Sequence, residues 1–270
     1  MKLRPSRILR ELRAGQNSTV LKLNMNDPRI IELAGLSGAS AVWLCNEHVP
    51  NDWGNLEHQV RAAKLYDMDV IVRVSKGSYS EYIKPFECDA TGIMVPHVTS
   101  ADEARNVVDM VRTRPLGSKA LDAGNMDGLF CQAPLADYAH HCNTEKFVIL
   151  QIESPEALEK VDEIAAVPGF DMLLFGAGDF SHRIGKLGQA THPEVVAARK
   201  KVAAAALKHG KYPAVASLYG QKDEVIAEGT RVFTLGADVL ELGGAFKKLV
   251  GDFVGGSAST ASDSVYANKK

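Results

Sequence analysis

Eight polar residues stand at or just beyond the ends of apolar runs: Asn46, Glu47, His48, Arg73, His97, Gln151, Glu153 and Asp179. The runs AVWLC, VIVRV, GIMV, FVILQI and LLF that lead into them are otherwise apolar. Glu153 directly follows FVILQI, and Ser154-Pro155 after it reads as an N-cap with proline at the first helical position. A carboxylate where a buried strand gives way to a helix needs a cation, a proton or a hydrogen-bond donor. Asp179 follows the next strand, which brings a second carboxylate close. Two such groups repel and raise a pKa unless a cation sits between them. An oxygen-liganded divalent ion with open water positions fits that pair. The competing reading pairs one carboxylate with Arg73 or Lys119.

The other residues of the set each have two readings. His48 lies in a loop beside Glu47, where a histidine is either a general base or an ordinary surface residue. Arg73 interrupts an apolar strand. A buried guanidinium is costly unless paired, so it is either a ligand anchor or half of a structural ion pair. Gly176-Ala177-Gly178 precedes Asp179 as a loop. Its glycines allow close backbone approach, and its N–H groups could hold a carboxylate or phosphate.

These residues need elements to hold them. Eight strand–helix units alternate, with strands starting near 19, 41, 70, 92, 147, 172, 213 and 239. Strict alternation implies a parallel sheet, and eight units in this length imply one α/β domain, a closed (β/α)8 TIM barrel. It is expected to span 1–254, including an N-terminal helix Pro5–Ala14. The Ser/Gly/Ala-rich stretch 255–270 is expected to be a flexible tail. A helix is expected from Lys222 to about Leu235, a last strand over Val239–Leu242 and a last helix over Ala245–Phe253. The irregular segment 114–134 is long enough to be functional. Together with Val215, Ala216 and Ser217 it is expected to line a substrate pocket. No Gly-x-Gly-x-x-Gly follows the first strand, which weighs against a doubly wound sheet.

Composition narrows the classes. The chain has 270 residues, 46% hydrophobic, with a formal net charge of −2. That balance gives no electrostatic basis for binding nucleic acid or an anionic membrane. No apolar run approaches the length of a transmembrane helix. MKLRPSRILRELRAG carries charges throughout and lacks the apolar centre of a secretory signal. Four cysteines (Cys45, Cys88, Cys131, Cys142) form no CxxC pair. They read as reduced thiols in a cytoplasmic protein.

In order along the chain, EHVPND (47–52), VIVRV (70–74), GIMVPHV (92–98), SADEAR (100–105), VILQIES (148–154) and LLFGAGDFS (173–181) resemble the HpcH/HpaI aldolases. That family consists of divalent-metal-dependent (class II) pyruvate aldolases on a (β/α)8 barrel. The resemblance implies Glu153 and Asp179 as metal ligands. It implies Gln151, Gly178 and Asp179 as residues that hold pyruvate, with His48 as the catalytic histidine. Arg73 matches the arginine on the keto oxygen, and Glu87 stands where the family has an aspartate that partners the histidine. It also implies Mg²⁺, Mn²⁺ or Co²⁺ as cofactor, a 2-oxo acid and an aldehyde as small-molecule partners, and a homo-oligomer, often a hexamer. The chain departs from the pattern at Cys45, Asn46, Glu87, Lys119 and Ala177. The expected reaction is reversible cleavage of a 4-hydroxy-2-oxo acid to pyruvate, or a related 2-oxo acid, and an aldehyde. Two alternatives stand beside it. One is other enolate chemistry, as in an oxaloacetate decarboxylase or CoA-thioester lyase; the other is a non-catalytic barrel that binds a 2-oxo acid.

Overall fold

A computed structural model describes residues 2–254, so the expected tail at 255–270 lies outside the described residues. Eight strands pair in parallel in chain order and close on themselves: β1 (Ser18–Lys22), β2 (Ala41–Cys45), β3 (Asp69–Arg73), β4 (Gly92–Val95), β5 (Phe147–Ile152), β6 (Met172–Phe175), β7 (Tyr212–Val215) and β8 (Val232–Ala237). The expected (β/α)8 barrel is what the chain forms. Its helices are α1 (Arg7–Arg13), α2 (Pro28–Leu36), α3 (Trp53–Lys64), α4 (Tyr79–Glu87), α5 (Ala101–Val111) and α6 (Leu135–Thr144). The chain continues through α7 (Pro155–Glu159), α8 (Val161–Ala165), α9 (Ala177–Arg183), α10 (Pro193–Lys208), α11 (Lys222–Ala227) and α12 (Asp238–Val254).

The period of two along each strand divides the core. Val42, Leu44, Val70 and Val72 pack outward against the helices. Ala41, Trp43, Ile71, Ile149, Met172 and Leu174 fill the barrel interior. Ile8, Leu9 and Leu12 of α1 join that interior cluster and plug its N-terminal end. Asp69 fixes the plug: Ser6 Oγ donates to its carboxylate at 2.6 Å, the Ile8 N–H at 2.8 Å and Arg4 at 2.6 Å.

Continuing the alternation one step beyond the apolar layers turns Lys22, Cys45, Arg73 and Gln151 inward at the opposite, C-terminal end. All four are buried. Cys45 and Arg73 are register partners across β2 and β3. The apolar strands therefore deliver a polar layer to the end where barrels carry their chemistry.

Three local expectations need correction. The last strand is Val232–Ala237, and 239–242 belongs to α12. The stretch VFTLGADVLEL has no unambiguous period, and strand pairing decides it. Gly229, at φ +90°, follows the end of α11, after which 232–237 pairs with both β1 and β7. Asp238 then accepts hydrogen bonds from the Asn24, Met25 and Val239 N–H groups as α12 begins. Second, Ala177–Asp179 is the first turn of α9 and not a loop. Third, segment 114–134 runs along the flank of the barrel and reaches Tyr79, at the start of α4, through its Ala120 N–H at 3.0 Å. It leaves α5 near the N-terminal side of the barrel, where Arg112 donates to the carbonyls of Gly169 and Lys146. From there it packs on the flank, where Tyr138 donates to Asp127 at 2.6 Å and the Lys119 ammonium donates to the Tyr138 oxygen at 3.3 Å.

Candidate active site

Glu153 lies just beyond β5 and is only 1% exposed. Ser154 caps α7 as expected, accepting from the Ala157 N–H at 3.1 Å with Pro155 next in the chain. The turn into α7 therefore pins the carboxylate at the strand end. Its Oε1 accepts from the His97 N–H at 2.8 Å, and its Oε2 accepts from Gln151 Nε2 at 2.7 Å. Burial pushes the Glu153 carboxyl above its ordinary range. The nearby Asp179 charge acts in the same direction, while His97 and Arg73 oppose it. Gly176 backs onto the same group. A Cβ there would sit 2.7 Å from Glu153 Oε2, so only glycine lets β6 approach this closely.

Asp179 faces solvent from the first turn of α9, beside Gly178. First-turn N–H groups have no acceptor within their own helix. Gln151 Oε1 is buried and has no hydrogen-bond partner. Two carboxylates, an orphaned amide oxygen and uncommitted N–H groups thus face one mouth. Among the described residues no three His, Cys, Asp or Glu side chains gather closely enough to enclose a metal. The donor set fits a hard divalent ion in an open site, with positions left for water and ligand oxygens.

Glu47 organises the facing wall. Its Oε2 lies 3.0 Å from Arg73 Nε and 3.5 Å from His48 Nε2, and its Oε1 lies 3.4 Å from His97 Nε2. The loop carrying it is tied down at several points. The Asn46 N–H donates to the Arg73 carbonyl at 2.8 Å, Asn51 donates to Gln59 at 2.9 Å, and Asp52 caps α3. Cys45 Sγ accepts from Arg73 Nε at 3.3 Å, Arg73 Nη2 at 3.1 Å and the His48 N–H at 3.4 Å. The thiol that departs from the family pattern therefore still orients the arginine. Arg73 also lies over the Trp43 ring, its guanidinium carbon 5.0 Å from the centroid. Lys22 brings a second cation to the layer. Burial lowers its pKa and Arg73 adds to that effect, while the Asp238 charge opposes it.

Arg73, Gln151, Glu153, Gly178 and Asp179 thus converge on the mouth, and His48 stands exposed at its rim. Glu47 and His97 belong to the same cluster. Their placement past strand ends marked them in the sequence, but nothing there revealed that they join Arg73 to Glu153. Glu87 is elsewhere. α4 runs back from the end of β3 to the start of β4, so its last residue sits on the N-terminal side of the barrel. There Glu87 lines a cavity of about 180 Å³ with Glu57, Arg61, Lys64 and Phe130. The chain does not bring Glu87 to His48, and the carboxylate beside that imidazole is Glu47. Lys119 is likewise buried on the flank with Tyr138.

The profile of the HpcH/HpaI aldolase/citrate lyase family matches residues 18–243. The chain belongs to this family. Among its relatives is the hydroxypyruvate/pyruvate aldolase of Pseudomonas aeruginosa, 31% identical over 272 residues that cover 98% of this chain and all of that protein. The 2-keto-3-deoxy-L-rhamnonate aldolase of Klebsiella pneumoniae is 31% identical over 69% of each chain. Among solved structures, an HpcH/HpaI aldolase from Desulfitobacterium hafniense superposes with a TM-score of 0.86 at 27% identity. That match covers 91% of this chain and 95% of the other. As an HpcH/HpaI family member, the chain carries its polar cluster at the barrel end where such folds do their chemistry.

Proposed function

We propose that this chain is a carbon–carbon lyase of the aldolase type, cleaving a 4-hydroxy-2-oxo acid reversibly to pyruvate or hydroxypyruvate and an aldehyde. The observation that carries the reading is the meeting of Glu153, Gln151 and Arg73 at one barrel mouth beside Asp179. Glu153 and Asp179 would hold a divalent cation, Mg²⁺, Mn²⁺ or Co²⁺. When bound, that ion supplies Lewis-acid polarisation of the keto oxygen of a chelated 2-oxo acid.

The remaining steps belong to side chains. Gln151 and the N–H groups at Gly178 and Asp179 orient the substrate carboxylate. Arg73, held by Cys45 and Glu47, places positive charge where the enolate oxygen develops. His48 removes the C4 hydroxyl proton, and the Glu47 carboxylate 3.5 Å away stabilises the imidazolium that forms. As the C3–C4 bond breaks, the electron pair passes into the enolate and the aldehyde leaves. The end of β7, at Val215, Ala216 and Ser217, is where we expect the aldehyde to meet the chain.

His48→Ala should slow aldol cleavage about 10²- to 10⁴-fold, the usual contribution of a positioned base. Decarboxylation of oxaloacetate by the same variant should be nearly unchanged, because it needs no hydroxyl deprotonation. Steady-state rates with both substrates check this; equal losses would remove His48 from the proton transfer.

We also infer a homo-oligomer, with a hexamer as its expected form. Phe246, Leu249, Val250 and Phe253 of α12 are exposed, Phe253 by 92%. An uncovered apolar helix face of this kind supports burial against a second copy. Phe246→Asp combined with Phe253→Asp should shift the sedimentation mass to that of the 29.1 kDa monomer. An unchanged mass would exclude α12 from the interface.

A further inference from the structure

We propose that Lys22 is a specificity-determining residue of this mouth, recognising an anionic group, a carboxylate or a phosphate, on the aldehyde half of the substrate. The assignment rests on the aldolase reading above and adds to it the chemical class of the acceptor.

Lys22 stands inside the barrel at the mouth end. Ser18, Val20 and Lys22 are the buried positions of β1, alternating with the half-buried Thr19 and Leu21. Val20 packs in the interior cluster, so Lys22 points the same way one step nearer the mouth. Its ammonium donates to the Asn24 side chain, two residues beyond the strand end, which keeps the charge on the mouth side of the apolar layers. The same ammonium lies 5.7 Å from the Trp43 ring centroid, and the Arg73 guanidinium lies against that ring as well. Two cations thus share one buried layer.

Strand order directs the substrate towards the lysine. The barrel closes in chain order. On the aldolase reading, β5 and β6 hold the substrate carboxylate, Arg73 on β3 holds the keto oxygen, and His48 just past β2 meets the C4 hydroxyl. Followed round the barrel in that sense, β1 is the next strand, and Lys22 is the register partner of Trp43 on β2. The substituent on C4, which becomes the body of the aldehyde, therefore continues over Lys22 towards the end of β7. The wall beside it is continuous. Asn26 donates to the Pro50 carbonyl at 2.7 Å and Asn55 donates to the Asn26 carbonyl at 2.8 Å, joining the loop after β1 to the loop that carries His48.

Charge gives the position its meaning. A lysine in a buried layer bears a desolvation cost that an apolar residue avoids. Burial and Arg73 both disfavour its ionised form. The Asp238 charge that opposes them is shared among the Asn24, Met25 and Val239 N–H groups. An anionic group arriving beside the ammonium offsets both penalties, which a neutral acceptor leaves in place. Arg73 is turned to Cys45 and Glu47, and on the aldolase reading to the keto oxygen. The two cations therefore serve opposite ends of the substrate.

The test is condensation of pyruvate with paired aldehydes by the full-length protein in the presence of Mn²⁺. The pairs are 4-oxobutanoate against butanal, and glyceraldehyde 3-phosphate against glyceraldehyde. The wild type should favour the anionic member of one pair about 10-fold or more in kcat/KM, and the pair that shows it tells carboxylate from phosphate. Lys22→Met keeps the length of the side chain without its charge. It should lower that preference about 10- to 100-fold, the usual worth of a hydrogen bond to a charged group. Lys22→Gln, which keeps a donor for Asn24, should lose the preference likewise, and Lys22→Arg should retain most of it. A wild type that exchanges the methyl protons of pyruvate with solvent yet favours neither anionic aldehyde would overturn the proposal and leave the aldolase reading standing. A preference that survives in Lys22→Met or Lys22→Gln would overturn it equally. A metal-loaded wild type that neither exchanges those protons nor condenses any aldehyde would overturn the aldolase reading and this proposal together.

Discussion

Glu153→Gln should keep the barrel and lose aldol activity by about 10³-fold or more, a loss of about 4 kcal/mol of transition-state stabilisation. The substitution preserves shape: its amide oxygen can still accept from the His97 N–H, and its NH2 can donate to the unpartnered Gln151 oxygen once that amide turns over, so the strand-to-helix turn after β5 has no reason to move. It removes one of the two anionic groups proposed to hold the cation and leaves only the solvent-facing Asp179. Burial already disfavours the ionised carboxyl at this position. A neutral amide there should leave the melting temperature of the metal-free protein unchanged or raise it. Calorimetric metal titration, thermal melting and steady-state cleavage rates check the three parts. Asp179→Asn should behave alike in metal affinity. Full activity retained by the wild type after exhaustive chelation would contradict the assignment of both residues.

Arg73→Lys should be nearly as damaging, although it conserves charge. The guanidinium reaches Cys45 Sγ through two N–H groups and lies against Glu47 and Trp43, all within a layer that is 5% exposed at Arg73. A lysine has no planar fork to span that thiol and carboxylate while facing the substrate. Loss of one positioned donor at a developing oxyanion typically costs about 10²- to 10³-fold in kcat. KM for the 2-oxo acid should change much less than kcat, because the interaction strengthens as the enolate forms. A variant with raised KM and unaltered kcat would make Arg73 a substrate anchor only. Cys45→Ser should retain most activity, since a hydroxyl can accept the same hydrogen bonds, whereas Cys45→Ala should fall towards the Arg73→Lys level.

The barrel was legible because eight apolar runs recur with helices between them, and the alternation within those runs predicts which strand-end residues turn inward. Glu153 was readable from its neighbours: an apolar strand before it and Ser154-Pro155 after it leave little freedom in where it sits. The segment 232–242 was not, because its apolar spacing suits a strand or a helix and only pairing with β1 and β7 selects the strand. Glu87 shows a different limit. Its position in the chain matches a family pattern, but the direction of α4 carries it to the opposite end of the barrel from His48. Glu47 and His97 stood in view at strand ends without a stated role. Their link from Arg73 to Glu153 depends on side-chain reach across β2, β3, β4 and β5, which residue spacing does not encode. The left-handed turn at His97 gave no signal either, since no glycine or asparagine marks it.

On the proposed function, this mouth stabilises the enolate of a 2-oxo acid, whatever the aldehyde. Proton exchange at the pyruvate methyl group reads that step without requiring an acceptor. In D₂O with Mg²⁺ or Mn²⁺, the wild type should exchange the methyl protons of pyruvate, followed by loss of the ¹H signal. Exchange should stop on chelation, return on adding metal back, and be absent in Glu153→Gln. Metal-loaded, folded wild-type protein that leaves pyruvate unexchanged would contradict the account and favour a barrel that only binds its 2-oxo acid.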